Sequence, residues 1–294
     1  MKIAKPKQKP LSFVVKEKDT LLAFLLANIK NMSRNSIKNL LSKKQISVDG
    51  KIVTKFDYPL HTGQTVALAP VKQNTLPPLP FDIIYEDDEI IVIDKPAGLL
   101  SIATEKEKLH TAYHIVNEYV KEKNKRGRIF IVHRLDKDTS GVLLFAKTDE
   151  AKRLFQDNWE DISKLRRYLA IVEGRPEKDS DTIISTLLET ETHLVYSGKG
   201  GKKAVTHYSV LKSSDEYSLL DVNIETGRKN QIRVHMKDIG TPVIGDKKYG
   251  ASCNPIKRLG LHACELQLTH PKTGKELCFK AKTPKEFKKV LKEN

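Results

Sequence analysis

The sequence has few cysteines and no long apolar run. Its 3 cysteines among 294 residues lack paired CxxC spacing, so neither a disulfide framework nor a metal site is predicted. The densest apolar stretch near the start, residues 21–29, is far shorter than the roughly 20 residues that cross a bilayer. No hydrophobic signal core follows the basic start MKIAKPKQKP. We therefore expect a cytoplasmic protein that is neither secreted nor bound to a membrane.

Acidic residues are outnumbered by basic ones. The chain has 52 Lys+Arg against 37 Asp+Glu, which gives a net charge of +15. Such surfaces attract phosphate backbones, because binding releases condensed counterions. A lysine-rich surface can also simply favour solubility. The charge therefore favours a nucleic-acid partner without deciding the matter.

A proline-rich segment, APVKQNTLPPLP, divides the chain into two parts. Proline removes backbone donors and favours an extended spacer. The predicted segments are a basic tail at 1–10, a small domain at 11–70, a linker at 71–80 and a large domain at 81–294.

The small domain is predicted to consist of two helices and a hairpin. Residues 19–20 are predicted to cap a helix over 21–29, and Ser33 to cap a second helix. The Asp-Gly pair at 49–50 lies between short alternating runs and predicts a hairpin, closed by a strand at 65–68.

The words SRNSIKNLLSKKQISVDGKIV and HTGQTVAL resemble the alpha-L RNA-binding module shared with a small-subunit ribosomal protein. The resemblance covers residues 19–68. It is weaker in the first helix, where the usual Arg-Leu-Asp-Lys start is replaced by Asp-Thr-Leu-Leu. It implies RNA binding through the second helix, and the plain alternative is a solvated lysine face. The basic residues concerned are Arg34, Lys38, Lys43 and Lys44.

The large domain alternates short strands and helices, which predicts an α+β fold with a mixed, largely antiparallel sheet and flanking helices. Helical spacing predicts a helix at 112–120 and a long one at 150–165. Apolar runs predict strands at 90–93, 129–132, 142–146, 169–172 and 219–224.

The stretch HRLDKDTSGVLLFAKT, residues 133–148, places a polar loop between two predicted buried strands. Rigid strands on both sides allow such a loop to present reactive side chains in a fixed position. The residue types alone leave open whether Asp136 or Asp138 is reactive. They also fit an Asx-type turn without chemistry.

This stretch resembles the signature of the RluA-type ribosomal large-subunit pseudouridine synthases. The segments YEDDEIIVIDKPAGLL, RRYLAIVEG, GKKAVTHYSVL, ETGRKNQIRVHMKDIGTPVIGDKKYG, RLGLHA and FKAKTP resemble other motifs of that family, in the same order. The resemblance spans roughly residues 81–284 and implies the pseudouridine synthase fold. It implies an isomerase that converts uridine to pseudouridine in RNA without a cofactor or metal. Asp136 falls on the family's catalytic aspartate, Tyr168 on its invariant tyrosine and Arg233 on its active-site arginine.

The helix around Arg233 agrees with that assignment. Ile232, Met236 and Ile239 repeat at helical spacing and Gly240 suits the end of the helix, so Arg233 is expected to face a cleft. An arginine beside a carboxylate favours its ionised form. The carboxylate could attack the sugar as a nucleophile or act as a base during elimination, and the sequence does not choose between these routes.

Further basic residues are predicted to contact RNA. His133 and Arg134 flank the reactive loop, and each could equally be a scaffold or phosphate contact. Residues 197–202 superficially suggest a phosphate-binding loop, but the required first glycine and the final Ser or Thr are missing. We interpret Lys202 and Lys203 as RNA backbone contacts.

The expected partner is ribosomal RNA of the large subunit, with transfer RNA second, and the expected state is a monomer. Two alternatives come from other functional classes. One is a non-catalytic RNA-binding or ribosome-assembly factor. The other is a metal-dependent nuclease that uses Asp136 and Asp138, although no further acidic cluster completes a two-metal site.

Overall fold

The computed structural model of the protein describes residues 11–29, 32–68 and 78–290. The chain divides into two compact units, Met1–Pro77 and Pro78–Asn294. The predicted basic tail at 1–10 lies outside the described residues, and so does most of the predicted linker. Within the described ranges, no helix is long and apolar enough to cross a membrane.

The first unit combines two short helices with two small sheets. Its strands are β1 (Leu11–Val14), β2 (Asp19–Thr20), β3 (Ile46–Val48), β4 (Lys51–Ile52), β5 (Pro59–Leu60) and β6 (Thr65–Leu68). Its helices are α1 (Leu21–Asn28) and α2 (Arg34–Ser42). An antiparallel sheet has the order β1-β6-β3-β4, and β2 pairs with β5. Leu25, Ile37 and Val66 belong to one buried cluster that joins helices and sheet.

The two predicted helix caps have different outcomes. The Ser33 cap is confirmed, because its Oγ accepts a hydrogen bond from the Ser36 N–H at 3.2 Å. The cap predicted at Asp19–Thr20 is confirmed in position only, since Thr20 is the N-cap residue of α1 but its side chain forms no capping hydrogen bond. The Asp19 carboxylate instead accepts from the Thr20 N–H, and both residues pair with Pro59–Leu60. The residues that the sequence suggested for capping therefore form a short strand instead of a side-chain cap.

The predicted hairpin is confirmed. Asp49 and Gly50 have φ values of 49° and 76°, the left-handed pair that a tight two-residue turn requires. The Asp49 carboxylate also accepts from the Thr65 N–H at 2.8 Å, so the turn is tied to the neighbouring strand β6.

The second unit is an α+β domain, which confirms the predicted fold class. Its strands are β7 (Ile83–Glu86), β8 (Ile90–Lys95), β9 (Phe130–Ile131), β10 (Ser140–Ala146), β11 (Ser163–Glu173), β12 (Ser180–Glu189), β13 (Val195–Ser197), β14 (Lys202–Ser213), β15 (Tyr217–Ile224), β16 (Leu261–Thr269) and β17 (Glu276–Lys280). Its helices are α3 (Ala112–Lys123), α4 (Asp149–Asp157), α5 (Trp159–Ile162), α6 (Gln231–Asp238) and α7 (Lys285–Val290).

These strands form one mixed sheet. The main path is β13-β12-β14-β15-β11-β16-β10-β8-β7, with β17 beside β16 and β9 beside β10. The β10–β16 pair is parallel, and the other strand pairs of the described residues are antiparallel. The sheet therefore brings β10, which follows the polar loop, next to a strand near the end of the chain.

The long helix predicted over 150–165 is wrong. The structure has α4 and α5 separated at Asn158, and β11 already begins at Ser163. Apolar residues keep helical spacing through both helices, so the sequence pattern could not predict that the helix is interrupted at Asn158. Ser163 and Leu165 pair with β16, which shows that sheet pairing overrides the local pattern there.

One predicted strand differs from the structure, and two long strands were not predicted at all. The strand expected at 129–132 is reduced to Phe130–Ile131, with Ile131 partly exposed. The pairing segment is therefore shorter and less buried than its apolar residues suggested. The long strands β12 and β14 were not predicted, because their alternating polar residues lack a continuous apolar run.

Gly141 allows β10 and β16 to approach each other closely. It has a φ of +114°, and a β-carbon built on it would lie 2.1 Å from the Ala263 carbonyl oxygen. The two residues are partners in the parallel pair. Only glycine fits this position, so the end of the polar loop is fixed against β16.

Replacing Gly141 by alanine is expected to destabilise the protein by about 3 kcal/mol or more, because the new methyl group would overlap the Ala263 backbone. Gly174→Ala is the matched control. Gly174 also has a positive φ, +66°, but has open space where the methyl group would lie, so about 1 kcal/mol is expected. Urea unfolding measures both losses. Equal losses would contradict the close β10–β16 contact.

Candidate active site

The polar loop between β9 and β10 is held by the segment that follows β8. The Ser101 hydroxyl donates to the Leu135 carbonyl at 2.7 Å and accepts from the Leu135 N–H at 3.1 Å. The Gly98 N–H donates to the Lys137 carbonyl at 2.9 Å. These contacts lie on both sides of Asp136, so the backbone that carries this carboxylate is fixed before any ligand binds.

Lys95 provides a further contact between the segment after β8 and the loop that carries Asp136. Its side chain is fully buried, and its Nζ donates to the carbonyl oxygens of Pro96, Leu99 and Lys137 at 3.0, 2.7 and 3.0 Å. Burial lowers the pKa of Lys95 to about 7, and the nearby charges of Asp138 and Asp136 oppose that shift. Sequence reasoning missed this residue. The available signal was a lysine at the end of the apolar run of β8. A lysine buried there would need hydrogen-bond partners.

Arg233 contacts Asp136 and is itself held by a second carboxylate. Its Nε and Nη2 donate to the two carboxylate oxygens of Asp246 at 2.6 and 2.8 Å. Its Nη1 donates to Asn230 Oδ1 at 3.0 Å and to Asp136 Oδ2 at 3.3 Å. Asp246 is buried, with a side chain 1% exposed, whereas Asp136 is 22% exposed. The bidentate pair therefore orients the guanidinium, and a weaker contact remains for the accessible acid.

Asp246 was also missed by sequence reasoning. It lies 13 residues after Arg233 in the chain, beyond the end of α6. The residue pattern of the stretch GTPVIGD does not predict that Asp246 contacts the helix α6. Its glycine-rich turn was the one available signal, since Gly245 has a φ of +74° and packs against the Arg258 carbonyl.

Tyr168 lies on β11 and lines the same pocket as Asp136 and Arg233. The pocket also has apolar walls, among them Ile224 and Leu261. Burial raises the pKa of Tyr168 to about 12, with a smaller contribution from the Asp136 charge and an opposing one from a nearby arginine. The phenol is therefore protonated at neutral pH. The structure thus brings together the three residues that the sequence assigned to the site.

His133 has the contacts of a scaffold residue. Its ring stacks on Trp159, with centroids 5.2 Å apart, and its Nε2 accepts the Leu144 N–H at 3.0 Å. Burial lowers the pKa of His133 to about 4, so the ring is neutral. Arg134 is exposed and lines the pocket. Of the two flanking candidates, Arg134 is the one placed at the site.

The remaining predicted RNA contacts lie in two places. Lys202 lines a groove next to the pocket, and the Lys203 carbonyl accepts from a pocket arginine, Arg228. The others belong to the first unit, on α2 and directly after it, and all are exposed. These residues are Arg34, Lys38, Lys43 and Lys44.

The chain is similar to known proteins over most of its length. A family model described as RNA pseudouridylate synthase matches residues 89–238. The Bacillus subtilis protein described as "Uncharacterized RNA pseudouridine synthase YlyB" is 31% identical over 282 residues, which cover 91% of each chain. The "Ribosomal large subunit pseudouridine synthase D" of Zymomonas mobilis is 32% identical over 290 residues, again covering 91% of each chain.

The fold is also found in a solved structure. "Human RNA Pseudouridylate Synthase Domain Containing 4" superposes with a TM-score of 0.58 at 24% identity, covering 70% of this chain and 89% of that one. The segment matched by the family model contains Asp136, Tyr168 and Arg233.

Replacing Lys95 by methionine is expected to destabilise the protein by about 3 kcal/mol, because three carbonyl groups lose their shared hydrogen-bond donor. Lys282→Met is the control, since that side chain is 89% exposed and its ion pair contributes little. Urea unfolding compares the two variants. If they lose the same stability, Lys95 does not hold the loop.

Proposed function

The chain belongs to the RluA-type family of RNA pseudouridine synthases, isomerases that act on RNA, and from this premise we propose that Asp136 is the carboxylate that acts on the target uridine. The observation that supports this assignment is the chain of contacts from Asp246 through Arg233 to Asp136. It keeps a positive charge beside an accessible carboxylate and orients that carboxylate in the pocket.

The reaction rearranges bonds within one nucleoside. The bond from ribose to uracil nitrogen-1 breaks, the uracil rotates, and ribose forms a bond to carbon-5. The proton on carbon-5 leaves and nitrogen-1 gains one, so no redox equivalent or group is consumed. Asp136 can attack the anomeric carbon and be displaced by carbon-5, or it can remove a sugar proton during elimination and return it. Both routes use the same ionised carboxylate.

Tyr168 is proposed to contact the uracil ring. Its position in the pocket suits stacking on the base while Asp136 reaches the sugar. Its pKa of about 12 disfavours a phenolate at neutral pH, so we assign it to holding the ring and guiding the carbon-5 proton rather than to acting as a free base.

The target base must leave its stack before Asp136 can reach the sugar. Arg134 is exposed at the pocket, two residues before Asp136, and is proposed to occupy the vacated space or to hold a phosphate. His133 is left out of this role, because its hydrogen bond and stacking contacts serve the fold.

Large-subunit ribosomal RNA is the proposed substrate. A relative that is 32% identical carries that substrate in its name, and the basic first unit suits a structured RNA. Transfer RNA is the second candidate. The reducing cytoplasm is the proposed location, and the three cysteines, all free, are compatible with it.

The first unit is proposed to act as an RNA clamp of the alpha-L type. Its second helix α2 buries Ile37 and Leu41 and leaves its basic residues exposed. One of them, Lys38, lies 4.9 Å from the centre of the Phe56 ring, so a cation and an exposed aromatic ring share this surface. Both groups suit contact with phosphates and unstacked bases.

Asp136→Asn is expected to lower pseudouridine formation by roughly a thousandfold or more while RNA binding persists, because the amide keeps the shape but loses the reactive charge. The assay incubates each protein with total RNA from cells lacking the gene and maps pseudouridine by carbodiimide-dependent reverse-transcription stops. Asp138→Asn is the matched control and should remain active. EDTA should leave activity unchanged, whereas it would abolish that of a metal-dependent nuclease. Full activity of Asp136→Asn would reject the assignment.

Replacing Arg34, Lys38, Lys43 and Lys44 together by glutamine is expected to weaken RNA affinity and to lower the salt dependence of binding by about one unit of slope per lost phosphate contact. The control replaces four exposed lysines elsewhere on the unit, Lys16, Lys18, Lys51 and Lys55, and removes the same charge. Titrations across a salt series measure both. If the two sets behave alike, α2 is not a specific clamp.

A further inference from the structure

Two arginines lie beside the pocket, Arg228 in its wall and Arg166 against Gly227, the wall residue that precedes Arg228. Arg166 precedes Tyr168 by two residues on β11, so both side chains lie on the pocket side of the sheet. Arg228 lies in the connection between β15 and α6 and lines the same pocket as Asp136. A β-carbon added at Gly227 would lie 3.1 Å from Arg166 Nη1, so the Arg166 guanidinium rests on the backbone next to Arg228.

Each guanidinium is fixed by one backbone carbonyl. Arg166 Nη2 donates to the Glu225 carbonyl, and Arg228 Nε donates to the Lys203 carbonyl at 3.0 Å. A guanidinium has five N–H donors in a rigid plane. One contact of this kind orients the plane and leaves most of its donors for a ligand.

The charges of these two arginines are not neutralised within the described residues. No carboxylate of the described chain forms an ion pair with either, although Glu160 acts on Arg166 from a longer distance. Burial, together with the positive charge of Arg228, lowers the pKa of Arg166. Neighbouring arginines differ: Arg167 pairs with Asp221 and Arg233 with Asp246.

This contrast is informative because Arg166 and Arg167 are consecutive. Arg167 lies on the opposite side of the sheet, where Asp221 and Glu265 compensate its charge. Arg166 lies on the pocket side and receives no such compensation. Two like charges held together by backbone contacts are unfavourable in the free protein, and an anion placed between them would relieve that repulsion.

We propose that Arg166 and Arg228 form a phosphate site that binds a phosphodiester of the RNA next to the extruded uridine. The proposal rests on the proposed function, since it names the part of the substrate that this wall of the pocket holds. Guanidinium groups match phosphate oxygens with paired hydrogen bonds, and lysines do not reproduce that geometry. The site would hold the backbone while the base turns into the pocket, so it should affect substrate binding more than the chemical step.

Arg166→Gln and Arg228→Gln are each expected to raise KM and the RNA dissociation constant by about 10- to 100-fold, with a much smaller change in the single-turnover rate at saturation. Arg228→Lys should recover only part of the loss, because it restores charge without the fork. Arg175→Gln removes the same charge from an exposed pair with Asp179 and serves as the control. Thermal unfolding of each variant separates lost binding from lost folding.

The decisive arm uses the wild-type protein as well. A short synthetic RNA containing the mapped uridine is prepared with a neutral methylphosphonate at each flanking position in turn. At one position the neutral linkage should weaken binding to the wild type by about tenfold, and should cost Arg166→Gln and Arg228→Gln little or nothing further. Equal losses in wild type and variants at every position would overturn the phosphate site.

Failure of the proposed function looks different. A wild-type protein that forms no pseudouridine would reject the isomerase assignment for this RNA, while the binding comparison would still decide whether the two arginines hold phosphate. Conversely, an active wild type with Arg166→Gln and Arg228→Gln indistinguishable from Arg175→Gln would reject the phosphate site and leave the isomerase assignment intact.

Discussion

The bidentate pair of Arg233 with Asp246 is the interaction on which the site depends. A buried guanidinium is costly without a partner, and Asp246, itself nearly inaccessible, supplies one. With that pair formed, one nitrogen remains directed at Asp136 and Asn230. Asp136, the proposed catalytic acid, therefore does not have to hold the Arg233 guanidinium in place by itself. It can exchange the contact for the sugar while the positive charge stays where it is.

The same separation of support and reactivity recurs in the loop that carries Asp136. Lys95 and Ser101 contact only its backbone, Lys95 through the Lys137 carbonyl and Ser101 through a reciprocal pair of hydrogen bonds with Leu135. No side chain of the pocket is used for this purpose. The side of the loop that faces the pocket therefore remains free for contact with RNA. Arg166 and Arg228 are likewise held through backbone carbonyls.

The sequence predicted the parts of this site that are local or that resemble a family motif. Asp136 lies in a continuous polar loop, and the spacing around Arg233 predicted a helix with this arginine off its apolar face. The sequence did not predict the roles of Asp246 and Lys95, because these roles depend on contacts between segments that are distant in the chain. The break at Asn158 was also not predicted. The apolar residues keep helical spacing across it, whereas pairing with β16 ends the helical segment. The charge contrast between Arg166 and Arg167 could be seen only once the sheet assigned them to opposite faces.

The parallel contact of β10 with β16 has a consequence for biosynthesis. Ser140, at the end of the loop, reaches His262 across a separation of 122 residues, with a hydrogen bond of 2.8 Å. Contacts so distant in the chain form late, because the intervening chain must first be made and ordered. A growing polypeptide that has already emerged with Asp136, Tyr168 and Arg233 still lacks the strand that fixes the loop. The loop that carries Asp136 therefore cannot be fixed in its final position until β16, 122 residues further along the chain, has also folded.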